Sequence, residues 1–328
     1  MTGKLRHGGD VDAATAAFGT PPGGWIDLST GINPVPYPIP TIDTDIWQRL
    51  PTASDETALL EAARGYYRVP DQAGIIAAPG TQAIIQWLPL SRPPCRVQVI
   101  GPTYEEHAAS WRTHGHEVRV TDSLADADAD VIIVVNPNNP DGHIFAADEL
   151  VPLAARLAAQ QGMLIVDEAF ADVAPETSII SEAGRPGLLI LRSFGKFFGL
   201  AGLRLGFAVG TTTDTERLRR AMGPWSVAGP ALDIGAAALS DSAWQAETRR
   251  RLGADTARLD SILTDAGLEI VGGTTLYRLA KSGEAARIYE RLGRAGIMVR
   301  KFDYNPTWLR FGLPGCEDDW QRLAAALS

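Results

Sequence analysis

The chain has 328 residues, of which 45% are apolar and 21% charged, and its net charge is -9. That length suits one large domain and a smaller one, each with its own core. The acidic balance, without any lysine- or arginine-rich block, excludes an evident nucleic-acid or anionic-membrane footprint, and no apolar run is long enough to span a membrane.

Residues 1–7 lack the apolar core of a signal peptide. Residues 1–45 are rich in glycine and proline and end in Asn33-Pro34-Val35-Pro36-Tyr37-Pro38-Ile39-Pro40. Trp25, Ile26 and Leu28 favour an arm docked on the body over a free linker. Ser54, with Asp55 and Glu56, opens a helix through about Tyr67. Apolar runs then alternate with helical patterns. Residues 75–78, 96–100, 131–135, 163–166, 188–191 and 205–209 read as strands buried on both faces, and 81–90, 105–114 and 147–160 as helices between them. Such alternation implies a mainly parallel sheet with helices on both sides. A helical stretch over 230–265 leads to a C-terminal αβ segment with strands at 269–271, 276–279 and 308–311 and a helix at 284–295. The predicted organisation is an N-terminal arm over 1–45, packed on the small domain and active site, and a large domain over 46–228. A connecting helix and small domain take up 229–328.

Ligands of doubly wound sheets sit beyond the carboxyl ends of strands. After 75–78 comes Pro79-Gly80-Thr81-Gln82, whose backbone N–H groups and Thr81 hydroxyl suit a phosphate, although a plain strand-to-helix turn would read alike. Tyr104 follows 96–100, Asn136-Pro137-Asn138-Asn139-Pro140-Asp141-Gly142 follows 131–135, and Asp167-Glu168-Ala169-Phe170 follows 163–166. The richest stretch is Ser193-Phe194-Gly195-Lys196-Phe197-Phe198, with Arg204 beyond it. A lysine in an apolar, glycine-punctuated turn loses hydration, which favours its neutral amine and makes it a competent Schiff-base nucleophile. Phe194, Phe197, Phe198 and Leu200 speak against the alternative of a solvated surface lysine. No metal site is expected. His114-Gly115-His116 reads as surface, Asp126, Asp128 and Asp130 read as solvated, and Cys95 and Cys316 are too far apart for metal or redox spacing. A reducing cytoplasm is the expected setting.

Ser193-x-x-Lys196 followed by Arg204, with the strand-end groups before it, resembles the lysine segment of fold-type I pyridoxal phosphate (PLP) enzymes, the aminotransferase class I/II superfamily. The resemblance implies an α/β fold of type I, with a large domain built on a mainly parallel sheet and a small C-terminal αβ domain. It implies that Lys196 takes PLP, that Asp167 pairs with its pyridine nitrogen and that Tyr104 stacks on its ring. Asn139 would bond the phenolic oxygen, and Gly80, Thr81, Gln82, Ser193 and Arg204 would complete the cofactor contacts. It also implies a homodimer. Three positions depart from the family pattern: Asp141 replaces a threonine, Phe170 stands where aminotransferases often carry tyrosine, and Leu50 occupies the place of a tyrosine that reaches a neighbouring subunit's cofactor phosphate.

His7-Gly8-Gly9-Asp10, followed by Ser29-Thr30-Gly31-Ile32-Asn33-Pro34, resembles the opening of the threonine-phosphate decarboxylases of cobalamin biosynthesis. This implies decarboxylation of O-phospho-L-threonine to (R)-1-amino-2-propanol phosphate, with substrate contacts from His7, Gly8, Asn33 and Asn139. Arg310 would fork the α-carboxylate, a bidentate task that lysine does poorly, and Arg300 would take the phosphate. Histidinol-phosphate aminotransferases usually keep the Asn-Pro but not the arm, so transamination of a phosphorylated amine is the alternative. A non-catalytic relative would show a lost lysine or an added DNA-binding segment; Lys196 is present and the arm is short for a helix-turn-helix.

Overall fold

A computed structural model gives the fold and describes residues 7–125 and 127–328. Residues 1–6, read above as carrying no leader, and Asp126, read as solvated, lie outside the described residues. In chain order the strands are β1 (Ile26–Leu28), β2 (Gly74–Ala78), β3 (Arg96–Ile100), β4 (Glu117–Thr121), β5 (Val131–Val135) and β6 (Met163–Asp167). They continue as β7 (Leu188–Ser193), β8 (Gly206–Gly210), β9 (Glu269–Thr274), β10 (Tyr277–Lys281), β11 (Ile297–Phe302) and β12 (Asn305–Gly312).

The continuous apolar runs form the middle of a seven-stranded sheet in the order β2-β8-β7-β6-β5-β3-β4. β5 is an unbroken run of β-branched residues, all buried, as a strand covered on both faces requires. From β7 across to β4 the strands are parallel, whereas β8 runs antiparallel to both β7 and β2. The carboxyl ends of β2, β3, β5, β6 and β7 therefore emerge on the same edge as the amino end of β8. Register fixes the alignment: Val135 lies opposite Asp167, and Ala78 and Ser193 both lie opposite Gly206. Every loop with candidate cofactor chemistry leaves or enters the sheet at that edge. Helices Ala53–Tyr67, Thr81–Trp87, Glu106–Thr113, Ala147–Ala159, Thr212–Met222 and Gly229–Ser240 accompany this sheet. The first starts earlier than the sequence suggests, because Thr52, not Ser54, caps it through a capping box with Asp55.

The second sheet has five strands in the order β1-β11-β12-β10-β9, with β1 parallel to β11 and the other pairs antiparallel. It belongs to a compact unit made of the chain up to Pro36, Pro140–Gly142 and Ala246–Ser328; Tyr37–Asn139 and His143–Gln245 form the other unit. These borders differ from the predicted ones at 45 and 228. Tyr37 joins the larger unit because its backbone N–H donates to Phe198 O (2.8 Å) and its ring meets Trp244, 5.2 Å between centroids. Helix Gly229–Ser240 also belongs there: a Cβ on Gly235 would lie 2.6 Å from Leu205 Cδ2 and 2.8 Å from Leu59 Cδ1. The expected stretch over 230–265 is two helices, Gly229–Ser240 and Ser242–Asp265. The sequence reading also lacked helices Val11–Phe18, Thr44–Gln48, Thr212–Met222 and Glu317–Leu327 and the strands β1, β4 and β11. No described helix is long and apolar enough to cross a membrane.

Candidate active site

A cavity opens at the loop-bearing edge of the larger sheet. Its wall gathers Gly80, Thr81 and Gln82 after β2, Tyr104 after β3, Asn139 after β5, Asp167 at the end of β6, Ser193 at the end of β7, Lys196 just beyond it, and Arg204 before β8. Every cofactor-binding residue singled out in the sequence thus lines one space.

Packing explains why the lysine faces it. Phe194, Phe197 and Phe198 are wholly buried, with Phe194 stacked on Phe198 at 4.4 Å and Phe198 on Trp244 at 5.6 Å. With its neighbours drawn into the core, Lys196 stays half-buried at the wall, its Nζ 5.7 Å from the centroid of the Phe170 ring. Arg204 adopts a left-handed conformation (φ 55°) and donates from Nη1 to Ala201 O at 3.1 Å. Two glycines permit the close packing beside it: a Cβ on Gly80 would meet Arg204 Nη2 at 2.7 Å, and one on Gly206 would meet the Thr81 nitrogen at 2.6 Å. Backbone N–H, hydroxyl and guanidinium donors are thereby collected in a cradle suited to an anion.

Asp167 is held through both oxygens. Oδ2 pairs with His107 Nε2 at 2.8 Å and Oδ1 accepts from Ala169 N at 3.1 Å, in buried surroundings. Tyr104 donates its hydroxyl to Gln82 Oε1 at 3.1 Å, and Gln82 Nε2 donates to Glu106 Oε2 at 2.9 Å. Gln82 therefore serves Tyr104 as well as lining the wall. Burial, reinforced by the charges of Glu106 and Asp167, pushes the Tyr104 phenol up to about 12, so it stays a neutral donor at ordinary pH. His107 was missed in the sequence, although it lies three residues beyond Tyr104 and the two rings meet edge to face at 6.1 Å. Helical spacing from Tyr104 was the available signal.

A buried ion cluster lies beside this wall in sequence. Arg192 donates to Glu168 Oε2 at 2.6 Å and pairs with Asp172, while Glu168 also accepts from Ser178 Oγ at 2.5 Å and Ile179 N at 2.8 Å. Burial pushes the Glu168 carboxyl up, against the pull of Arg192. The cluster ties the exit of β6, next to Asp167, to the exit of β7, next to Ser193. It too was not legible in the sequence.

The predicted substrate residues other than Asn139 belong to the smaller unit. Arg300 on β11 faces Arg310 on β12 in register. Arg310 is buried over the Tyr277 ring, with its Cζ 5.0 Å from the centroid, and its Nη2 donates to Ser29 O at 2.7 Å. Burial pulls the guanidinium down to about 10, so it remains charged at neutral pH. The Arg300 guanidinium carbon lies 5.6 Å from the centroid of the Phe302 ring. Asn33 is buried, and its Oδ1 accepts from Arg251 Nη2 at 2.7 Å and Val35 N at 3.1 Å. His7 is exposed, whereas Gly8 packs on Ser29.

One reading needs correction. His116 is buried, not on the surface: Nδ1 accepts from Cys95 N at 3.2 Å, which leaves Nε2 to donate to Pro89 O at 2.9 Å. Among the described residues no cluster of His, Cys, Asp or Glu could hold a metal ion.

Comparison with known proteins places these features in context. The family described as Aminotransferase class I and II matches residues 47–327. A threonine-phosphate decarboxylase of Sinorhizobium sp is 44% identical over 346 residues, covering 100% of this chain and 99% of the relative. A protein of the same name from Pseudomonas aeruginosa is 42% identical, covering 98% of this chain and 97% of its own. The crystal structure of histidinol-phosphate aminotransferase from Sinorhizobium meliloti, in complex with pyridoxal-5'-phosphate, superposes with a TM-score of 0.83 at 19% identity, covering 99% of this chain and 94% of that one.

Proposed function

The chain belongs to the aminotransferase class I and II family, and on that footing we propose that it decarboxylates O-phospho-L-threonine to (R)-1-amino-2-propanol phosphate with the help of pyridoxal phosphate. The observation that carries the reading is the cavity wall, where an amine, a buried carboxylate and an anion cradle meet. The residues suit the cofactor: Gly80 lets the Arg204 guanidinium and Gly206 lets the Thr81 nitrogen come close, gathering donors for a phosphate beside the Lys196 amine and the Asp167 carboxylate. Full-length similarity to threonine-phosphate decarboxylases supports the choice of substrate.

Bound there, pyridoxal phosphate would supply an electron sink for the pair released when a bond to the substrate Cα breaks. Lys196 would tether it through its amine. Asp167, aligned by His107 and Ala169 N, would keep a proton on the ring nitrogen. Thr81, Ser193, Arg204 and the backbone around Gly80 would hold its phosphate, Tyr104 would cover its face and Asn139 would donate to its phenolic oxygen. Phe170 has no hydroxyl to add a second bond at that oxygen.

Arg310 is the residue for the substrate carboxylate, since a planar fork fixes the orientation of the Cα–carboxylate bond as well as binding charge. Arg300 would take the phosphate, with Asn33 as a further polar contact. The Cα–carboxylate bond breaks, CO2 leaves, and a proton from solvent ends on Cα. In D2O the product should therefore carry one deuterium at Cα and retain its nitrogen. Substrate nitrogen appearing on an added 2-oxo acid would instead support transamination of a phosphorylated amine.

We also infer a homodimer. Trp47 and Leu50 stand 67% and 61% exposed, the kind of apolar surface an interface covers. Sedimentation of a monomer at working concentration would contradict this.

A further inference from the structure

Gly8 lies against one backbone carbonyl. A Cβ at this position would sit 2.3 Å from Ser29 O and 2.8 Å from Ser29 C, far inside any tolerated contact. Gly8 is not among the glycines with positive φ, so the requirement is for space and not for an unusual backbone conformation. The oxygen it packs on is the one that accepts the 2.7 Å hydrogen bond from Arg310 Nη2. Ser29 is itself fixed on other sides. Its N–H and its hydroxyl both donate to Asp27 Oδ1, at 2.8 and 2.5 Å, and its Oγ accepts from Gly9 N at 2.7 Å. Ser29 and Arg310 are both buried, at 3% and 6% exposure, so neither can exchange its partner for bulk water.

We propose that the N-terminal arm is a positioning element for Arg310: Gly8 and Gly9 clamp Ser29, and the Ser29 carbonyl sets the plane of the guanidinium fork. Gly8 then acts on the substrate carboxylate through Arg310 and does not itself touch the substrate. This rests on Arg310 being the carboxylate ligand. A Cβ at Gly8 must push the Ser29 carbonyl aside or lift the arm, and either movement turns the fork. A misplacement of about 1 Å in such a group costs up to about a hundredfold in productive binding.

The test compares two ligands on holoenzyme. O-phospho-L-threonine carries the carboxylate; 1-amino-2-propanol phosphate shares its amine and phosphate but lacks it. Gly8→Ala should raise KM for O-phospho-L-threonine by about tenfold or more, with the inhibition constant of 1-amino-2-propanol phosphate kept within about twofold. The visible absorbance of bound cofactor should not change. Ser29→Ala keeps the carbonyl but cuts its side-chain tethers to Gly9 and Asp27, and should give a smaller effect with the same selectivity. It serves as the readout if Gly8→Ala lowers the folded yield. Equal weakening of both ligands would show that the arm contacts the phosphate-bearing part directly, and an unchanged KM in both variants would show that it positions nothing; either result overturns the proposal. Arg310→Lys separates the two layers. If that variant keeps the wild-type KM, the role of Arg310 itself fails; if it loses binding while Gly8→Ala is silent, only the role of the arm fails.

Discussion

The larger unit's cavity and the smaller unit's arginine pair both offer positive charge to an anion, but they do so by opposite means. At the cavity, Arg204 is exposed and the other donors are a hydroxyl and backbone N–H groups brought close by Gly80 and Gly206. Little desolvation is involved, and the cradle stands ready for a resident group. Arg310 is buried, its pKa pulled down by that burial, and is steadied by a carbonyl and the Tyr277 face. A cation in such a place is costly until a carboxylate meets it. The contrast teaches that one region presents a preformed set of exposed donors, whereas the other presents a buried charge whose energy would fall if an anion met it.

Four changes would sharpen or break that contrast. Lys196→Ala should abolish the visible cofactor band and lower turnover by about a thousandfold or more, measured by spectrum and product formation. Arg310→Lys should leave the band intact and lower kcat/KM by about a hundredfold, since a point charge cannot reproduce a fork; loss of the band would mean that the two regions do not divide the work. His107→Phe removes one of the two hydrogen-bonding partners of Asp167 and should reduce kcat about tenfold with the cofactor still bound. The mildest test is pH. Because burial lowers the Arg310 pKa, its charge is present below about pH 10 and lost above it. KM for O-phospho-L-threonine should therefore rise as pH passes 10, a steady-state measurement that Arg310→Lys should alter. For folding the sign is reversed, as the cost of burying the cation fades over the same range.

Much of the larger unit was legible in the sequence because its strands are buried on both faces and leave long apolar runs such as 131–135. β4 was missed because Glu117-Val118-Arg119-Val120-Thr121 is an edge strand with its side chains largely solvated. Helix Val11–Phe18 buries no residue completely and half-buries only Ala14, Thr15 and Phe18, so its apolar face is short and weak in the sequence. β1 has three residues and exists through its pairing with β11. At the site, residues with their own chemistry at strand ends could be found from sequence. Those that act through a partner could not: His107 reaches Asp167 across 60 positions, and Arg192 meets Glu168 and Asp172 only when β6 and β7 lie side by side. Gly8 was legible as a motif, but its place against the Ser29 carbonyl follows only from coordinates.

The most direct test of the whole account is the yield of CO2 from O-phospho-L-threonine with purified holoenzyme and no 2-oxo acid present. One CO2 and one 1-amino-2-propanol phosphate should form for each substrate consumed, over many turnovers. Holoenzyme that releases no CO2, and consumes substrate only when 2-oxoglutarate is added, would contradict the account and make the protein an aminotransferase.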